Sequence, residues 1–227
     1  MDKLAAIFHK NRFAVILAAS LSLLCIALIF LIVILVTAVK EKEGCSVDNL
    51  GAISRSEWGA LPPDQSLTGE QGFYNLVSNP GGWLTYEAPL RVVLDTIVVH
   101  HTALPLSDGP LEIQQLHMQE RGCADIGYHF VIDAQGRIYE GRAINVRGAH
   151  TGGQNYGKIG IVLMGNFEVD EPSEAQLNSL TALSRCLVQE YAIERIAGHR
   201  DFQPGETLCP GKNLWPRLPA LAEMLER

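Results

Sequence analysis

Positive charge is scarce beyond residue 44. From Cys45 onward, 13 Lys and Arg stand against 22 Asp and Glu, a net charge of −9. A surface of that sign repels phosphates and argues against a nucleic-acid partner. Charge of either sign is missing from Ala14 to Val39, "AVILAASLSLLCIALIFLIVILVTAV". Cys45 follows Lys42-Glu43-Gly44 and lacks the apolar residue that a lipidated cysteine has three places earlier, so no lipid anchor is expected. Internal repeats are absent, which sets aside solenoids and arrays. Cysteine is sparse: Cys45, Cys123, Cys186 and Cys209 allow at most two disulfides in the region past residue 44, and the count alone decides nothing.

The 227 residues suit one ordinary domain plus an appendage. The appendage is the uncharged run, since about 20 apolar residues are enough to cross a bilayer as a helix. A cleaved secretory signal is the competing reading, and Val36-Thr37-Ala38 resembles a small-residue cleavage site, but a signal core runs to only about 7–15 residues. Lys3, Lys10 and Arg12 precede the span and Lys40 and Lys42 follow it; with the short amino-terminal tail this places the N-terminus in the cytoplasm. The expected layout is a cytoplasmic tail over 1–13, a transmembrane anchor over 14–39, a tether over 40–52 and a folded domain over 53–227. The expected location is the plasma membrane, crossed once, with the domain on the periplasmic or extracytoplasmic side.

Within the domain, the Pro-, Gly- and Ser-rich stretch from 61 to 90 reads as a long surface excursion. Strand signals fall at 95–100, 128–134, 136–142 and 158–166, with "DAQG" as a hairpin turn between the second and third. Helical signals fall at 110–121, at 173–191, where Ser173 and Gln176 form a capping box, and at 214–226. Interleaved strands and helices predict an α/β domain, a single mixed β-sheet flanked by helices.

"IVVHHTA" (97–103) ends an apolar run with two adjacent histidines. Successive strand side chains point to opposite faces, so His100 and His101 do not serve one site together. "IAGHRDFQPGETLCPG" adds His199 and, ten residues on, Cys209, with Pro-Gly pairs marking a loop that folds back. Zinc takes imidazole nitrogen and thiolate sulfur, and a catalytic zinc keeps three protein ligands and one open position. Two other readings stay open on spacing alone: Cys209 buried or in a disulfide, and Cys209 as a nucleophile with His199 as its base.

"ISRSEWGA", "IVVHHTA", "DIGYHFVIDAQGRIYEGR", "GAHTGGQNYGKIGIVLMGNF" and "GHRD…TLCPG" occur in the order seen in the type 2 N-acetylmuramoyl-L-alanine amidases and peptidoglycan recognition proteins, which the chain resembles from about Ile53 to Trp215. The resemblance implies His100, His199 and Cys209 as zinc ligands, with His101 structural. It implies Tyr128 and Thr207 as catalytic groups that donate to the transition state. Thr207 stands where some phage enzymes carry Lys, and the His199–Cys209 spacing is longer than in many relatives. It places His150 at the substrate cleft, a loop position that equally suits a turn cap, and Asp201 either behind a ligand or in a surface ion pair. The implied activity is zinc-dependent hydrolysis of the amide between N-acetylmuramic acid and L-alanine in peptidoglycan or muropeptides; the expected anchor points to a bacterial envelope setting, with a eukaryotic surface receptor of similar layout as the other reading. The alternative is a muropeptide receptor of the same fold without catalysis.

Overall fold

The structure is a computed structural model and describes residues 26–32, 34, 45, 47–64, 66, 85–106 and 108–225. The chain divides into two units, Met1–Gly44 and Cys45–Arg227. Of the first, 26–32 and 34 are helical and exposed. The expected anchor at 14–39 lies largely outside the described residues, as does most of the 61–90 excursion. Among the described residues no helix is long and apolar enough to cross a membrane.

The second unit is built on a five-stranded sheet: β1 Thr96–His101, β2 Phe130–Ile132, β3 Ile138–Glu140, β4 Lys158–Leu163 and β5 Arg195–Gly198, in the order β3-β2-β4-β1-β5. Only β2 and β3 pair antiparallel, while β1, β4, β5 and β2 run parallel, so the sheet is mixed. Central strands of a largely parallel sheet are covered on both faces and read as apolar runs; Ile97, Val98 and Val99 of β1 and Ile159, Ile161, Val162 and Leu163 of β4 are fully buried.

Helices α1 Pro110–Gln119, α2 Glu174–Tyr191 and α3 Leu218–Leu225 supply the cover. The expected capping box starts α2: Ser173 Oγ accepts the Gln176 N–H and Gln176 Oε1 accepts the Ser173 N–H, each at 3.1 Å. Leu180, Leu183 and Leu187 of α2 join Ile97, Val99 and Ile161 in the larger core. Each such leucine contributes about 2 kcal/mol by removal of its surface from water. On the opposite face a smaller core gathers Ile113 of α1 with Ile126, Tyr128, Val131 and Val162.

Regular structure is shorter than the sequence signals at several edges. The run expected over 128–134 forms a regular strand only over 130–132. Main-chain bonds continue past it irregularly, Gly141 N–H to His129 O and Arg142 N–H to Tyr128 O, each at 2.8 Å. The C-terminal helix begins as a 3-10 turn at Trp215–Arg217 before α3. Cys45 is disulfide-bonded to Cys186 of α2, and Val47 and Leu50 pack against the larger core, so the folded unit starts inside the segment expected as a tether. Cys123 and Cys209 remain buried thiols.

Candidate metal centre

The site forms where two parallel strands end side by side. Val99 of β1 is in register with Gly198 of β5, so the next residues, His100 and His199, are neighbours across the sheet. Parallel sheets bind ligands at the carboxyl ends of their strands, where side chains leave the ladder facing the same way. Alternation along β1 sends Ile97, Val99 and His101 toward α2 and turns His100 to the side of Tyr128 and Val162. His101 accordingly accepts the Phe167 N–H at Nδ1 (3.1 Å), which makes it a structural histidine.

The His100 and His199 rings stand 4.6 Å apart, centre to centre. The loop after β5 returns Cys209 to them, with its Sγ 3.6 Å from His100 Nδ1 and accepting the main-chain N–H of His101 at 3.4 Å. One donor atom from each of His100, His199 and Cys209 falls within 4.8 Å of the other two, a group that can hold a metal ion. Burial, reinforced by the neighbouring imidazoles His150 and His199, holds His100 well below the ordinary histidine pKa. Burial also lowers His199, against the hydrogen bond it donates to Gln203 Oε1. Both imidazoles are therefore neutral at pH 7, the form that ligates. Burial pushes the Cys209 thiol up to about 12, partly opposed by the His101 N–H. A thiol held there gives no activated nucleophile at neutral pH, so the cysteine-hydrolase reading loses its support; a divalent cation beside it would remove the proton.

Tyr128 follows Gly127 at the entry to β2, its ring 5.1 Å from His100 and 5.2 Å from His117 of α1. Burial raises its pKa, so it stays a phenol and a donor. The loop that carries it is braced from below. Arg142, 2% exposed, donates to the carbonyls of Ile126 (2.9 Å), Arg147 (3.0 Å) and Asp125 (3.2 Å), while Asp125 pairs with Arg55 at 3.0 Å.

His150 is buried with its Nδ1 3.0 Å from His100 Nε2 and 2.9 Å from Thr151 Oγ1. Its ring lies flat on the sheet at Gly160, where an added Cβ would come within 2.5 Å of it. Thr207 Oγ1 accepts the Cys209 N–H at 3.1 Å and lines a cavity of about 670 Å³ with Arg200, Leu208 and Trp215. That cavity adjoins the loop, and none of the three donor residues lines it. Asp201 caps the turn behind the site, accepting from Gly198 N–H (2.7 Å) and Trp215 Nε1 (3.0 Å).

Sequence reasoning singled out neither His117 nor Gln203. His117 Nδ1 accepts the Gly127 N–H at 2.9 Å beside the Tyr128 ring. Gln203 Oε1 lies 2.5 Å from His199 Nε2. The Gln203 contact is four residues from its partner, a spacing that carries meaning only once the loop is known to turn there.

Residues 90–212 match the family described as N-acetylmuramoyl-L-alanine amidase. Peptidoglycan-recognition protein SC2 of Drosophila melanogaster is 35% identical over 173 residues, covering 72% of this chain and 82% of that protein. Among solved structures, the N-acetylmuramoyl-L-alanine amidase LysC of Clostridium intestinale aligns with a TM-score of 0.55 at 35% identity, over 63% of this chain and 92% of that one. A variant of Drosophila PGRP-LB in complex with tracheal cytotoxin aligns with a TM-score of 0.57 at 29% identity, over 73% of this chain and 91% of that one.

Proposed function

Because the chain belongs to the family of type 2 N-acetylmuramoyl-L-alanine amidases and peptidoglycan recognition proteins, we propose that it is a zinc-dependent amidase rather than a receptor without catalysis. In this reading it hydrolyses the bond between N-acetylmuramic acid and L-alanine in peptidoglycan or muropeptides. The observation that carries it is the convergence of His100, His199 and Cys209.

The donor set fits the ion. Zinc–nitrogen distances near 2.0–2.1 Å and a zinc–sulfur distance near 2.3 Å, at a tetrahedral angle, set nitrogen and sulfur about 3.5 Å apart. His100 Nδ1 and Cys209 Sγ stand 3.6 Å apart. Two imidazoles and one thiolate leave the fourth position for water or substrate. Held by these three residues, zinc would supply an activated water and polarise the scissile carbonyl.

The chain's own groups do the rest. Tyr128, kept protonated by burial, donates a hydrogen bond to the oxygen that gains charge as the amide is attacked. Thr207 accepts the Cys209 N–H through a lone pair, which leaves its own O–H as a donor for the second hydroxyl role that the family resemblance gives it. His150 holds His100 from behind, and the family resemblance gives it a place beside the substrate. The buried surroundings of His100 and Tyr128 exclude bulk water, which strengthens each of these hydrogen bonds.

We place the domain outside the cytoplasm, held by a single span over 14–39 with the N-terminus inside. The uncharged run and the Cys45–Cys186 disulfide, a bond of oxidising compartments, support this. Incubation of the full chain with a purified muropeptide, followed by mass spectrometry, tests the activity. The expected products are the free muramyl sugar and a peptide with a new L-alanine amino terminus, and their formation stops on chelation. Binding without cleavage would assign the receptor role, and cleavage that persists after complete metal removal would overturn the mechanism.

A further inference from the structure

The two donor imidazoles are each held from the outside by a side chain that does not itself ligate. Gln203, half-buried in the loop between His199 and Cys209, brings Oε1 to 2.5 Å from His199 Nε2. An amide oxygen only accepts hydrogen bonds. At this contact His199 therefore carries its proton on Nε2, and Nδ1 keeps its lone pair. His100 is arranged in the same sense, since Nδ1 faces Cys209 Sγ and Nε2 faces His150 Nδ1.

Both holders lean on one loop. Asn155 Oδ1 accepts the main-chain N–H groups of His150 and Thr151, each at 2.8 Å, and so fixes the start of the loop. Gln154 Nε2 donates to Phe202 O at 2.9 Å, tying that loop to the residue before Gln203. Gly152 lies under Gln203, whose Nε2 would stand 3.5 Å from a Cβ placed there. Residues 150–155 thus support both His150 and Gln203.

We propose that Gln203 is a positioning residue that fixes His199 as the Nε2-protonated tautomer and so presents Nδ1 to the metal, with the 150–155 loop as its brace. The inference rests on the zinc reading above. Partners of this kind set ring orientation and ligand basicity, and their loss weakens metal affinity by about 10–100-fold. It has no part in contacting substrate.

The test measures zinc affinity of the full chain by competition with a chromophoric chelator, alongside the absorption spectrum of the cobalt-substituted protein. Gln203→Met keeps the side-chain bulk and removes the acceptor; about 10–100-fold weaker zinc binding and an altered cobalt spectrum are expected. Gln203→Glu restores an acceptor, and its affinity returns to that of the parent or above. A Gln203→Met chain that binds zinc within twofold of the parent overturns the proposal, even if it melts earlier, because that result describes a merely structural residue. If Gln203→Met loses its native circular dichroism, Gln203→Asn, too short to reach Nε2, takes its place under the same thresholds. A parent chain that binds no zinc would remove the metal reading itself, whereas tight binding in both parent and variant would remove only the role of Gln203.

Discussion

At the scale of single residues, the account makes Tyr128 a donor and His100, His199 and Cys209 holders, and these roles separate experimentally. Tyr128→Phe removes one hydroxyl from a buried ring; kcat is expected to fall by about 100–1,000-fold with zinc affinity unchanged. A fall in zinc content would instead make Tyr128 part of the metal shell. The thiol gives a pH signature. Cys209 is raised to about 12 by burial, while both histidines are lowered, so at pH 6.5–8.5 only the thiol releases a proton on metal binding. Apparent zinc affinity should then rise about tenfold per pH unit across that range, and chelator competition at three pH values checks the slope. A flat profile would mean that the sulfur is not a ligand. Alternation in "IVVHHTA" was enough to say that one histidine of the pair faces a site, and the family resemblance chose His100. His150 and Gln203 as outer partners were beyond such reading, because one contact spans 50 residues and the other depends on a loop with no period.

At the scale of elements, the site depends on strand ends and on what braces them. The long β-branched runs that became β1 and β4 were plain in the sequence because strands buried on both faces read as continuous apolar stretches. β5 is only four residues, Arg195–Gly198, opens with an exposed arginine and carries no alternation, yet it delivers His199. The segment carrying Tyr128 departs from the expected strand for a physical reason: its carbonyls bond Gly141 and Arg142 outside the regular β2–β3 ladder. Arg142 then fixes the preceding turn through two main-chain carbonyls, Asp125 and Ile126, and ties it to a third at Arg147. Arg142→Met leaves those acceptors buried without donors, and a loss of about 3 kcal/mol in urea unfolding is expected. A change under about 1 kcal/mol would show that the turn is held by Asp125 and Arg55 instead.

At the scale of the whole molecule, a covalent staple from Cys45 to α2 closes the folded unit, and a core rich in buried histidines ties its stability to pH. Burial depresses His117 to about 3 and His129 to about 4. Such groups contribute stability that is complete above the unfolded-state value near 6.5 and is lost as pH falls toward the folded values. The slope is up to about 1.4 kcal/mol per pH unit for each. Thermal melts from pH 7 to pH 4 should show a progressive fall that His129→Gln makes shallower, and a stability flat to pH 4.5 would contradict the buried neutral state. The α/β class and the mixed sheet were legible from interleaved strand and helix signals. The Cys45–Cys186 pairing was not, since it joins residues 141 apart and spacing carries no geometry.

The proposed mechanism turns on one ion shared by His100, His199 and Cys209, whose donor atoms lie within 4.8 Å of one another. X-ray absorption at the zinc edge of the full chain, loaded with one equivalent of metal, reads that arrangement directly. The account predicts one sulfur at about 2.3 Å and two imidazole nitrogens at about 2.0–2.1 Å, with the sulfur lost in Cys209→Ala. A shell without sulfur, or a zinc environment indifferent to that substitution, would contradict it.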